Sequence, residues 1–116
     1  MGYVSSQSMI KDAISVFSTI GSKKEAQTLA KILIKEKLAA CVQLVPGLES
    51  FYFWQNKLCQ DKEVLMIIKT RRILFSKLVK TIKKHHSYEI PQILALPIVG
   101  STTSYFQWMK NSLASK

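Results

Sequence analysis

Residues His85 to Ile98 read HHSYEIPQILALPI, setting two imidazoles, a phenol and a carboxylate within five positions of one another. Imidazole titrates near neutral pH, and carboxylate accepts protons and binds metals, so chemistry is most readily built in this stretch. Cys41, in LAACVQLV, adds a thiol. Cys41, His86 and Glu89 together offer soft, borderline and hard donors, an odd mixture for one selective ion. The four closely spaced Cys and His ligands of a structural zinc site are absent from the sequence. Each residue also has a structural reading. A cysteine behind two alanines in a buried strand is a small hydrophobe. His85 stands where a helix should end, where the dipole favours its cationic form. Tyr88 and Glu89 can satisfy backbone and lysine groups. There is no Ser-His-Asp order, no Gly-rich phosphate loop and no metalloprotease helix motif, so binding is expected here, not catalysis.

The positioning elements must come from one domain, since 116 residues with 47% apolar composition build one core. Seventeen Lys and Arg against seven Asp and Glu leave a formal charge of +10, which favours contact with anions. Cys41 and Cys59 form neither a CxxC pair nor a disulfide framework, and no apolar run has membrane or signal-peptide length. A soluble cytoplasmic protein with reduced thiols, not bound to membrane, is the expectation. Residues 1–10, polar and serine-rich, are expected to be a flexible arm, with residues 11–116 as the single domain.

Along the chain, Asp12 to Ile20 predicts a strand ending at Gly21. Ser22 and Glu25 form a capping box, Ser22 accepting from the Glu25 amide and the Glu25 carboxylate returning to the Ser22 amide. The helix they start carries Ala26, Leu29, Ala30, Leu33 and Ile34 on one side and runs to about Lys37. LAACVQLV predicts a second strand that stops at Pro46-Gly47. Leu48 to Trp54 then alternates, with Phe51 and Phe53 facing one way and Tyr52 and Trp54 the other. The chain turns at Gln55-Asn56-Lys57, with Asn56 suited to positive φ, and returns through KLCQDKEVLMIIKT. A second helix spans about Ile73 to His85, ILALPIV makes another strand, and a last helix capped by Ser101 or Thr103 carries Tyr105, Phe106, Trp108 and Met109. The order β-α-β-β-α-β predicts an α+β, ferredoxin-like sandwich with an extended hairpin and a C-terminal helix. Hairpin arms this long, aromatic on both faces, call for a partner chain to cover them.

The runs LAACVQLVPGLESFYFW, EVLMIIKT and HSYEIPQILALPI, in that order, resemble the CutA family of divalent-cation tolerance proteins, and the likeness extends from about Ile14 to Trp108. It implies a ferredoxin-like subunit, a tight homotrimer whose hairpins pair with neighbouring subunits, and binding of copper or another divalent metal, with no cofactor required. It also implies that Cys41 faces an intersubunit cleft, where its thiolate would suit Cu(I). The metal set implied is Cys41, His86 and Glu89, with Tyr52, Trp54, Lys69 and Tyr88 lining the cleft. Lys69 is expected to pair with Glu89 or to hold an anionic ligand. Where the family pattern has proline this chain has Ser87, where it has glutamate this chain has Gln92, and where the hairpin turn often has glycine this chain has Asn56.

Two other readings remain at this level. The trimer plan resembles that of the PII nitrogen-regulatory proteins, so the clefts would bind a small anionic metabolite and the basic surface an acidic protein partner. Nucleic-acid binding through Arg71, Arg72, Lys77, Lys80, Lys83 and Lys84 rests on charge alone, without interleaved aromatics, and a solvated helix face is preferred for that stripe.

Overall fold

Ile14, Val16, Ser18 and Ile20 all turn to one side of their strand, and that side is dry. The computed structural model describes residues 2–5 and 9–115. Its elements are β1 (Tyr3–Ser5), a 3-10 turn (Met9–Asp12), β2 (Ala13–Ile20), α1 (Lys23–Lys35), β3 (Cys41–Trp54), β4 (Lys57–Arg71), a 3-10 turn (Arg72–Leu74), α2 (Phe75–His85), β5 (Ile93–Pro97), β6 (Gly100–Thr102) and α3 (Thr103–Asn111). The four long strands form one antiparallel sheet in the order β3-β4-β2-β5, the ferredoxin-like arrangement expected.

The core lies under α1 and α2. Ala26, Leu29 and Leu33 of α1 meet Leu78 and Ile82 of α2 over Ile14, Val16, Ile20, Val64, Met66 and Ile68 of the sheet. A second cluster forms where Phe106, Met109 and Leu113 pack on Ala13, Ala40 and Leu74 at the sheet's end. The opposite sheet face, carrying Phe17, Ile67, Leu94 and Leu96, has no layer over it among the described residues of the single chain. Leu94 and Leu96 remain 55% and 41% exposed.

Several boundaries depart from the sequence expectation for physical reasons. Within the segment read as a flexible arm, Tyr3–Ser5 pairs with Gly100–Thr102, because the backbone groups of that second segment offer a free ladder edge. Residues 1 and 6–8 of that arm lie outside the described residues. The helix read to Lys37 stops at Lys35 in a Schellman turn: Leu38 N–H reaches Leu33 O and Lys37 N–H reaches Ile34 O, with Lys37 at φ 57°. The cap of α3 is neither Ser101 nor Thr103 but Thr102, whose hydroxyl accepts from Tyr105 N–H at 3.3 Å. The hairpin turn needs positive φ at both Gln55 (52°) and Asn56 (64°).

The break at Pro46-Gly47 is a bulge inside one continuous strand. Val45 faces Leu65 and Leu48 faces Glu63, so Pro46 and Gly47 oppose the single residue Val64. Gly47 takes φ +79°, and the missing Pro46 N–H falls where the ladder is already interrupted. The extra residue reverses the side-chain parity of β3. Before the bulge Cys41, Gln43 and Val45 look toward the uncovered face; after it Leu48, Ser50, Tyr52 and Trp54 do. Pairing between β2 and β4 ends at Ile20↔Val64, which leaves the seven rungs from Leu48↔Glu63 to Trp54↔Lys57 as a free two-stranded ribbon. At roughly 3.4 Å per residue this projects about 24 Å past the sheet, in a molecule whose longest extent is 50 Å.

Candidate functional site

Parity reversal sets Ser50 beside Asp61 and Tyr52 beside Cys59 on the same face as Glu63. The turn after α2 folds over this point. α2 ends at His85, whose Nδ1–H donates to Thr81 O of the same helix at 3.0 Å. His86 then leaves the helix in an extended conformation. Its Nδ1 accepts from Tyr88 N–H at 3.0 Å, which makes Nε2 the protonated nitrogen, and Nε2–H donates to Thr19 O at 2.8 Å. Its ring lies 4.8 Å from that of Tyr88. The imidazole is thus a bracket that ties the turn to the end of β2. The Glu25 carboxylate contributes from the other side, accepting from Ser87 N–H at 3.1 Å instead of returning to its own cap, while Ser22 Oγ accepts from Glu25 N–H as expected.

So held, Tyr88 points its hydroxyl at Glu63. The hydroxyl donates to Glu63 Oε2 at 2.7 Å, and Ser50 Oγ donates to Oε1 at 2.6 Å. Glu63 is only 7% exposed, and these two hydroxyls are what make its burial tolerable. Burial, and next the hydrogen bond to Glu63, push the Tyr88 phenol well above the usual tyrosine range. Farther out on the ribbon the Tyr52 hydroxyl donates to Asp61, and that bond pushes Tyr52 up to about 12. The Tyr88 ring packs beside Gly21, where an added Cβ would stand 3.4 Å from the hydroxyl oxygen.

These residues enclose a cleft of about 620 Å³ lined by Thr19, Ser50, Phe51, Tyr52, Trp54, Asp61, Glu63, Tyr88, Glu89, Ile90 and Gln92. Three carboxylates line it and, among the described residues, no Lys, Arg or His does, in a chain of formal charge +10. Of the residues that the resemblance places at a cleft between subunits, Tyr52, Trp54 and Tyr88 line this cleft of the single chain, as does Glu89 of the expected metal set. Lys69 does not: it opposes Cys41 in register, and its ammonium donates to Gln43 Oε1, not to Glu89. Nor does one subunit assemble the expected metal set. Cys41, through Lys69, stands level with Ser15, whereas His86 is bonded at Thr19, four residues or about 14 Å along the sheet. Cys41 is instead beside Tyr105, whose phenol is pushed up by burial and then by the neighbouring thiol. With both His86 nitrogens engaged, no group of three or more His, Cys, Asp or Glu capable of holding a metal exists among the described residues.

Asp61, Glu63 and Ser50 were not singled out from the sequence. The signal was available in Asp61-Lys62-Glu63, where alternation puts both acids on one strand face. What hid it was the bulge, which decides whether Ser50 and Tyr52 share that face.

A family model described as CutA1 divalent ion tolerance protein matches residues 14–112. The rice protein named "Protein CutA 1, chloroplastic" is 46% identical over 100 residues, covering 86% of this chain; the chain spans a little over half (56%) of that relative's length. The Thermus thermophilus protein named "Divalent-cation tolerance protein CutA" is 42% identical over 97 residues, 84% of this chain and 94% of the relative. The crystal structure of CutA1 from Oryza sativa superposes with a TM-score of 0.90 at 43% identity, covering 94% of this chain and all (100%) of that one. From the family match, these identities and the shared fold, this chain belongs to the CutA1 divalent ion tolerance protein family.

Proposed function

We propose that the chain works as a homotrimeric binding protein for a divalent cation, copper among them, held in the cleft beside the hairpin base and completed by a neighbouring subunit. The observation that carries this reading is the lining: Asp61, Glu63 and Glu89 border one cleft with no basic side chain among its described lining residues, on a protein that is otherwise strongly positive. Such a cleft attracts cations and repels the anionic metabolite that a PII-like reading would place there. Oxygen donors from Asp61 and Glu89 suit a hard or borderline ion, with water filling the remaining positions. His86 supports the site by fixing Tyr88, and is not proposed as a ligand. Cys41, on the uncovered face, would reach a cation only where a second copy brings it there. Assembly is supported by the uncovered apolar face and by the seven-rung ribbon, both of which leave large side chains in water.

Calorimetric titration of the metal-free protein with Cu(II), Zn(II) and Cu(I), alongside light scattering, tests the reading. Saturable binding to a trimer, weakened tenfold or more by Asp61→Asn with Glu89→Gln, is expected. A monomeric mass, or binding unchanged in that double variant, would refute it. Loss in Cys41→Ser alone would move the ion from the carboxylate cleft to the thiol.

A further inference from the structure

The outer side of α1 carries a second feature, unrelated to the cleft. Lys24, Lys31 and Lys35 fall at i, i+7 and i+11, one line along the helix about 16 Å long. Beside that line Ala30 and Ile34 of α1 meet Val42 on the free edge of β3, forming a groove of about 350 Å³ whose rim is Lys31 and Lys35. Ile34 is 42% exposed within it. None of the three lysines has an ion-pair partner among the described residues. The one acid within α1, Glu25, is turned to Ser87 N–H.

We infer that this groove docks an acidic segment of another protein, an apolar side chain seated on Ile34 and Val42 and carboxylates lying along the lysine line. Charge and groove chemistry select that partner. A polyphosphate would use the lysines and leave the apolar floor in water. A second copy of the chain brings another +10 and has no suitable segment. Asp12 is paired with Arg71, Glu25 is bonded to Ser87, and Asp61 and Glu63 accept from Tyr52, Ser50 and Tyr88. Glu36, Glu49 and Glu89 lie in three separate parts of the chain. The lysines of α2, at Lys80, Lys83 and Lys84, add a positive field that steers an acidic partner toward this side.

The test uses the full chain and a fluorescein-labelled amphipathic peptide with leucines on one helical stripe and glutamates beside it, plus a twin with glutamine at every glutamate. Anisotropy at low salt should show saturable binding of the glutamate peptide. Charge reversal in Lys31→Glu with Lys35→Glu should weaken it about tenfold or more, since two exposed pairs are lost and two repulsions gained. The same charge change on α2, Lys80→Glu with Lys84→Glu, should cost about twofold or less. Ile34→Ser, at an exposed position that leaves the core intact, should weaken binding severalfold. Equal losses in the two charge-reversal variants would overturn the inference in favour of a general field. So would equal binding of the glutamine twin. A change in assembly mass in Lys31→Glu with Lys35→Glu would also overturn it, by assigning the groove to a neighbouring copy.

Discussion

Replacing Tyr88 with phenylalanine removes one oxygen and nothing else, and its effect can be worked from the surroundings of Glu63. In the native chain each oxygen of that carboxylate holds one hydroxyl, Ser50 on Oε1 and Tyr88 on Oε2. With Glu63 at 7% exposure, water has little room to replace the lost donor. A hydrogen bond to a charged group contributes about 1.5–3 kcal/mol. The partly exposed Tyr88 edge puts Tyr88→Phe toward the lower end, about 1.5–2 kcal/mol. For a chain of this size about 4 °C accompanies each kcal/mol, so Tm should fall by roughly 6–8 °C. Differential scanning calorimetry at one fixed protein concentration is the assay, since assembly makes Tm concentration-dependent. The ring stays to pack on Gly21 and His86, so the loss reports the hydroxyl alone. Adding Glu63→Gln to Tyr88→Phe should cost less than the sum of the single changes, because both act on one bond. A Tm within about 1 °C of wild type, or strict additivity in the cycle, would refute the view that the two hydroxyls sustain the buried carboxylate.

Alkaline pH should act through the same network. Tyr52, held up to about 12 by Asp61, and Tyr88, also pushed up, both have folded values above the unfolded value of about 10. Their contribution is therefore complete below pH of about 10 and is lost as pH rises through the folded values. Tyrosinate absorbance should lag the unfolded titration curve, the lag should shrink in Tyr52→Phe with Tyr88→Phe, and coincident curves would contradict it. Lys37→Gly should raise Tm by about 2–4 °C, because Lys37 holds φ 57° at the Schellman turn and glycine takes that conformation without the Cβ clash; an unchanged or lower Tm in a thermal melt would count against it.

Element types were legible because their periods are local. Leu29 and Leu33 repeat at helical spacing, Ile14 and Val16 at strand spacing, and the order of those patterns admitted a ferredoxin-like sheet. The overlong hairpin was legible for the same reason, as was the family likeness carried by LAACVQLVPGLESFYFW and HSYEIPQILALPI. The strand at Tyr3–Ser5 escaped notice because its partner, Gly100–Thr102, lies almost the full length of the chain away.

The amino-acid order by itself determined which residues could do chemistry, and the family likeness it carries grouped Cys41, His86 and Glu89 as metal donors and Tyr52, Trp54, Lys69 and Tyr88 as a cleft lining. Tertiary structure decided which groups are available. Within one subunit it set Cys41 and Lys69 on a distant part of the sheet, closed both nitrogens of His86 in hydrogen bonds, and brought Asp61 and Glu63 to the cleft. The physical reason is register. One extra residue at Pro46-Gly47 turns every later side chain of β3 to the other face, and a single sequence contains no local mark of which face its partner strand presents.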